Sequence, residues 1–188
     1  MSGGIALLER AVTYTLGALA AVTPDALSRP TPCAGWDLRA LLVHLNDGLV
    51  ALHEAVELGH IAVDPPPGDR PGDGADLVSV VRANATGLLG AWTHAEGPGK
   101  VMIADLPITA AIVTSTGAVE IAVHGWDVAR ACGVRKPIPD ALAEQLLPLS
   151  ALLVTDQDRP VRFAAPVPLP ASANPADLLL AHLGRDPS

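Results

Sequence analysis

Three side chains that can bind a metal ion or a proton lie close together in the segment TGAVEIAVHGWDVARACG, residues 116–133. Glu120, His124 and Asp127 are spaced by four and three residues, so on a helix they share one face. Apolar residues surround them, and a buried carboxylate needs a metal, a cation or hydrogen-bond donors. A Glu and a His one turn apart can chelate one ion. The pattern indicates a metal site, although a helical histidine is more often an ordinary core or boundary residue.

A third ligand is needed, and His44 in the segment ALLVHLNDG, residues 40–48, is the best candidate. A His/Glu/His set is typical of catalytic zinc, with a fourth position open to water or substrate. The mixed nitrogen and oxygen donors would also accept iron, nickel, cobalt or manganese. Asp127 has three possible roles: it orients a ligand histidine, serves as a fourth ligand, or acts as a base.

The elements that must position these residues are helices. Apolar residues recur every three or four positions, Asp37 is a good N-cap, and Gly59 and Gly133 are suited to helix ends. These signals predict helices over residues 4–22, 38–58, 77–96, 114–133 and 139–154. The chain then continues as an extended segment, 161–170, and a short helix, 174–184. A Pro/Gly-rich connection covers 64–76, and residues 97–113 are a long connection with a short helical or extended piece. The fold class is therefore all-α, a four-helix bundle with additional C-terminal helices.

Length and composition support one globular domain and exclude several classes of partner. The chain has 188 residues, of which 49% are hydrophobic and 17% charged. We expect a single domain over 1–188, with the bundle at about 4–133 and a C-terminal extension at about 134–188. The formal charge of −8 argues against nucleic acid and anionic membranes as partners. The apolar stretch at 11–22 is amphipathic and too short to span a bilayer, so we interpret it as the first helix.

The remaining notable side chains suggest structural roles. Two cysteines, Cys33 and Cys132, do not make a disulfide framework, so we expect a cytoplasmic protein. Neither cysteine has an activating group nearby in sequence, so we expect both thiols to be inert. Trp36 and Trp126 flank the two candidate segments; lining a pocket is one role open to them, and core packing is the expected role of each. Arg130 is the basic residue nearest in sequence to the carboxylates of the fourth helix.

Two segments carry a resemblance to a known family. RPTPCAGWDLRALLVHL, residues 29–45, and GAVEIAVHGWDVARACG, residues 117–133, resemble the metal-binding domain of mycothiol-dependent maleylpyruvate isomerase. They resemble more closely a group of small proteins that share this domain within the DinB-like superfamily, and the closing DLLLAHLGRDP is similar to the typical end of those proteins. The resemblance implies a DinB-like four-helix bundle. It also implies a divalent metal, usually zinc, held by His44, Glu120 and His124.

The resemblance implies an activity as well. Related proteins use a low-molecular-weight thiol such as mycothiol, whose pKa a bound metal lowers. We therefore expect a thiol-dependent transferase or isomerase whose partners are a small-molecule thiol and an electrophile, working as a monomer or homodimer. In the isomerase a further C-terminal domain contributes to the active site, and this chain is too short to hold all of it, so we do not expect the isomerase's own reaction. The alternatives are a metal-dependent hydrolase, with Asp127 as base, and a non-catalytic metal-binding or regulatory module.

Overall fold

The chain folds into a helical bundle with a small sheet at one side. A computed structural model describes residues 2–62, 75–94, 99–159 and 162–188. Within these ranges the helices are α1 (Ser2–Leu19), α2 (Leu38–Glu57), α3 (Ala75–His94), α4 (Ala110–Ala131), α5 (Asp140–Leu153) and α6 (Pro175–His182). The strands are β1 (His60–Ile61), β2 (Lys100–Ile103) and β3 (Leu106–Thr109). The predicted all-α bundle is confirmed, and most of the proline-rich connection at 64–76 lies outside the described residues.

The first four helices form a closed ring around the apolar core. Helix α1 packs on α4 and α3, and α2 packs on α3 and α4, while α5 packs on α4 and α1 and carries α6. Helices α1 and α4 approach closely at Gly125, where a Cβ atom would overlap the Thr15 side chain. The Thr15 hydroxyl donates a 2.7 Å hydrogen bond to the Ile121 carbonyl. The middle of α4 is therefore held firmly against α1, and its other side faces α2.

Local signals place α2 where the sequence predicts it. The Asp37 side chain accepts a 2.8 Å hydrogen bond from the Ala40 backbone N–H, so Asp37 is the N-cap. Gly59 follows the helix with φ of +68°, a conformation that glycine adopts without strain. The observed start and end of α2 therefore confirm the helix predicted at residues 38–58.

Strands β2 and β3 of the three-stranded sheet lie in the segment at 97–113, whose structure the sequence left open. Strands β2 and β3 pair antiparallel, with Ile103 opposite Leu106, and β1 pairs parallel to β2. The two-residue turn has positive φ at both Ala104 and Asp105, as a type I′ turn requires. Because β3 leads directly into α4, that helix begins at Ala110, and the predicted start at 114 is wrong by one turn.

The backbone strain at Ala104 in this turn can be tested by mutation. Alanine at positive φ costs about 1 kcal/mol, since its Cβ crowds the backbone there. We expect Ala104→Gly to stabilise the fold by about 1 kcal/mol in chemical denaturation. The matched control is Ala6→Gly at an exposed position inside α1, which should destabilise the protein by about 0.5–1 kcal/mol. A loss of stability in both variants would contradict the assigned turn geometry.

The C-terminal tail returns to the bundle after α6. Asn174 caps the start of this helix by accepting from the Asp177 N–H, as the predicted start at 174 requires. At its end the N–H groups of Gly184 and Arg185 donate to the carbonyls of Ala181 and Leu180, which is a Schellman motif. Before α6, residues 164–170 have no regular secondary structure, so the predicted extended segment does not form a strand. No helix among the described residues has the length and apolar character needed to span a membrane.

Candidate metal centre

The structure brings His44, Glu120 and His124 together at the interface of α2 and α4. The Glu120 Oε2 atom lies 3.1 Å from His124 Nε2 and 3.9 Å from His44 Nε2. One donor atom from each of the three residues lies within 4.8 Å of the other two. The rings of His44 and His124 meet edge to face, with centroids 5.0 Å apart. These positions result from the antiparallel packing of α2 on α4, which also places Leu52 against Gly117.

The burial of these side chains differs from the sequence-based expectation. The side chains of His44 and Glu120 are about half exposed, at 46% and 50%, whereas that of His124 is buried at 8%. Asp127 is fully buried. The argument that a buried carboxylate needs a cation therefore applies to Asp127 and was wrong for Glu120, whose position on α4 faces an opening beside the bundle.

Asp127 lies behind His124, on the opposite side of the ring from Glu120. Its Oδ2 atom is 3.0 Å from His124 Nδ1, while Glu120 contacts Nε2. An ionised carboxylate only accepts hydrogen bonds, so Nδ1 carries the proton and donates it. The contact holds the ring in one orientation and directs Nε2 toward Glu120 and His44.

The buried charge of Asp127 is balanced by Arg185, which sequence reasoning missed. Arg185 Nη2 donates to Asp127 Oδ2 at 3.0 Å, and Nη1 donates to the Leu183 carbonyl at 2.9 Å. The Schellman motif at Gly184 turns the chain so that Arg185 enters the bundle. Arg130, the nearest basic residue in sequence, instead donates to the Ser188 carbonyl at the exposed surface. The one available signal was the arginine within the family-like closing segment.

The loop before α2 supplies two further contacts. Trp36 lies 4.9 Å from the His44 ring and 6.5 Å from the His124 ring, between centroids, and is 37% exposed. The expectation that it packs in the core is therefore wrong, whereas Trp126 is buried. The Cys33 thiol donates to Asp127 Oδ2 at 3.2 Å and accepts from Arg185 at 3.4 Å. The sequence had no residue near Cys33 to suggest this environment.

Mutual hydrogen bonding controls the protonation of the cluster. The partial burial of Glu120 and the complete burial of Asp127 would by themselves raise the pKa of each, but hydrogen bonds from histidine to each, and Arg185 beside Asp127, outweigh this effect and lower both. Burial would lower the pKa of His124, yet its bonds to Asp127, Cys33 and Glu120 raise it well above the usual value. The cluster therefore stabilises the protonated, positively charged ring of His124 between the carboxylates of Glu120 and Asp127.

A pocket of about 240 Å³ opens beside the three residues. His44, Glu120 and His124 form one part of its wall, and the rest is formed by Thr116 and by apolar residues from α2, α4 and the small sheet. Asp127 is absent from the described residues that line it. A small molecule can thus approach Glu120 Oε2 and the two histidine Nε2 atoms, but it does not meet Asp127.

Comparisons of sequence and of structure find similarity to the same group of known proteins. Residues 8–129 match the model of the mycothiol maleylpyruvate isomerase N-terminal domain. Uncharacterized proteins from two strains of Mycobacterium tuberculosis are 30% identical over 180 residues, covering 94% of this chain and 94% of each relative. A crystal structure of a point mutant of mycothiol-dependent maleylpyruvate isomerase superposes with a TM-score of 0.60 at 16% identity. That match covers 77% of this chain and 66% of the other, and it supports the predicted DinB-like fold.

Proposed function

This chain belongs to the family of the mycothiol maleylpyruvate isomerase N-terminal domain, and from this premise we propose that it is a metal-dependent enzyme acting on a low-molecular-weight thiol. In this proposal His44, Glu120 and His124 hold one divalent ion, with zinc first among the candidates. Mycothiol is the thiol, and its sulfur is transferred to an electrophile. The observation that carries the proposal is the convergence of three ligand atoms at the wall of an open pocket.

The chemistry and spacing of the donor atoms suit such an ion. Ligand distances of about 2.0–2.2 Å in tetrahedral geometry put neighbouring donor atoms about 3.4 Å apart. The measured separations of 3.1 and 3.9 Å from Glu120 Oε2 to the two histidine nitrogens lie on either side of that value. A proton now lies between His124 Nε2 and Glu120 Oε2, and a bound metal cation would displace this proton and take its place. Two nitrogens and one oxygen would also accept nickel, iron, cobalt or manganese.

When bound, the ion would hold the thiol sulfur and favour the thiolate form near neutral pH. The protein's own residues would provide orientation and shelter. Asp127 keeps the proton of His124 on Nδ1, so the Nε2 lone pair is available to the ion. Trp36 packs against both histidine rings and restricts their movement. The apolar pocket wall would shelter a bound electrophile from water on that side of the site.

The position of Asp127 also argues against the hydrolase alternative. A hydrolase would need a general base beside the open coordination position, within hydrogen-bond reach of a water. Asp127 is fully buried and already accepts hydrogen bonds from His124, Arg185 and Cys33. Its contacts support a positioning role. The accessible pocket likewise favours an enzyme over a closed metal-binding module.

A thiol-transfer assay tests the proposal. Zinc-loaded protein would be mixed with mycothiol and chlorodinitrobenzene. The thiol releases its proton to solvent, a carbon–sulfur bond forms, the carbon–chlorine bond breaks and chloride leaves. We expect turnover that requires both metal and mycothiol, with monobromobimane as a second electrophile. Metal-free protein and the variant His44→Ala serve as negative controls. A fully metallated protein without thiol-dependent turnover toward either electrophile would refute the proposed activity.

A further inference from the structure

The pocket beside the three candidate ligands is almost entirely apolar. Helices α2 and α4 contribute Leu45, Leu52 and Ile112, and the sheet contributes Ile61, Ile103 and Ile108. The small sheet therefore helps to form the pocket, because it covers a gap between α2 and α4 that the bundle alone leaves open. Residues that the periodicity of the helices does not predict thus form one wall of the candidate site.

Beyond the three candidate ligands, the described lining of this pocket has no charged side chain. Apart from His44, Glu120 and His124, the described lining holds no ionisable side chain, and the Thr116 hydroxyl already donates to the Ile112 carbonyl. A carboxylate placed there would lose its hydration without gaining a cation or donor, which is costly. The pocket chemistry therefore selects against anionic groups.

The volume of the pocket sets the size of the group it can hold. An apolar cavity of roughly 150 Å³ in another protein is large enough to bind benzene. At about 240 Å³ this pocket has room for an aromatic ring or a medium alkyl chain. Gly48 leaves part of this room open, because a Cβ atom placed there would meet no other atom within 4 Å.

From this geometry we infer that the pocket binds an uncharged alkyl or aryl group of the electrophilic substrate and discriminates against dicarboxylates. The inference rests on the proposed function, since it concerns the second substrate of the same site. It narrows the substrate class to hydrophobic electrophiles. It also assigns specificity to the sheet and to the first turn of α4, while His44, Glu120 and His124 remain the proposed ligands.

Alkyl hydroxamates provide a test, because their head group chelates divalent metals and their chain can enter the pocket. Butano-, hexano- and octanohydroxamate would be titrated into cobalt-loaded protein of measured metal content. We expect affinity to rise about fourfold for each methylene group that becomes buried, until the pocket is filled. A hexanohydroxamate with a terminal carboxylate should bind at least about tenfold more weakly than the neutral one. Equal binding of all these probes would overturn the inference.

Two pairs of variants locate the effect. Gly48→Leu adds apolar bulk at a helical position and should remove the gain from longer chains, whereas Gly48→Ala should retain most of it. Ile112→Lys places an ammonium group at the half-exposed rim and should reverse the preference toward the carboxylate-terminated probe. The control Leu152→Lys changes an exposed side chain of α5 outside the pocket and should have no effect. An unchanged preference in Ile112→Lys, or a reversal that Leu152→Lys shows as well, would count against this pocket as the binding site of the alkyl chain.

The outcomes separate the two proposals. Normal metal binding without chain-length dependence would refute the hydrophobic specificity and leave the metal-dependent activity standing. Failure to bind metal would refute the proposed function. In that case n-butanol, n-hexanol and n-octanol would be titrated calorimetrically into the metal-free protein. Chain-length dependence that Gly48→Leu abolishes would still support an apolar binding pocket, and its absence would overturn it.

Discussion

Replacing His44 with alanine should lower the affinity for zinc by at least about 100-fold while the protein remains folded. Three protein ligands hold a catalytic zinc, so loss of one exceeds the 10–100-fold effect typical of a residue that only orients a ligand. The His44 side chain is nearly half exposed, so its removal leaves no large cavity. Glu120→Gln should behave similarly, because an amide oxygen is a much weaker ligand than a carboxylate and Glu120 is equally exposed.

Metal content after dialysis against a defined zinc buffer measures this effect, and the absorption spectrum of the cobalt-loaded protein reports on coordination. Circular dichroism and thermal unfolding would show that each variant is folded. The matched control is His60→Ala, which removes an exposed histidine from β1 outside the candidate centre. Full metal occupancy in His44→Ala would refute the ligand assignment, and a loss in His60→Ala would show that binding is nonspecific.

The second large effect concerns Asp127. We expect Asp127→Asn to destabilise the protein by about 3–5 kcal/mol, because it leaves the buried guanidinium of Arg185 without its counter-charge. The amide also cannot reproduce the ionised acceptor that fixes the proton of His124 on Nδ1. In the protein that remains folded, zinc affinity should therefore fall by about 10–100-fold.

A double-mutant cycle measures how much of the lost stability comes from the pairing of Asp127 with Arg185. Arg185→Gln removes the buried cation, and the double variant Asp127→Asn, Arg185→Gln should be more stable than the two single effects predict by addition. Urea denaturation gives the free energies of unfolding. The control Asp47→Asn, at an exposed position of α2, should change stability by less than about 0.5 kcal/mol. Strict additivity would show that Asp127 and Arg185 do not stabilise each other.

Cys33 links this pair to the solvent-facing loop. Its thiol contacts both Asp127 and Arg185, and it lies three residues before Trp36, which packs on the two histidine rings. The Gly35 backbone, with φ of +81°, makes this close turn possible. The loop before α2 and the tail after α6 therefore meet behind His124, so two segments distant in sequence support one proposed ligand.

Much of the architecture could be predicted because it depends on local interactions. The apolar period placed the helices, and Asp37 and Gly59 marked the ends of α2. The four-residue spacing of Glu120 and His124 placed them on one helical face, where the structure finds them 3.1 Å apart. Capping, periodicity and spacing act within one or two helical turns, so a single sequence contains all the information they need.

The hairpin shows where such local signals fail. Ala104 and Asp105 form a turn for which Asn-Gly would be the recognisable signal. Their positive φ values are imposed by the pairing of β2 with β3 and by the packing of the sheet on the bundle. Tertiary contacts outweighed the local preference, so the sequence left this segment open and placed the start of α4 one turn too late.

The sequence by itself determined the bundle, the family-like segments and the three residues that the structure brings together. Only the tertiary structure decided that Asp127 contacts the far side of His124, that Arg185 neutralises it and that an apolar pocket lies beside Glu120. Asp127 and Arg185 are 58 residues apart, and the pocket joins α2, α4 and a sheet. Contacts over such distances depend on how whole elements pack, because the free energy of burying a charge or an apolar surface is set by every neighbour that excludes water.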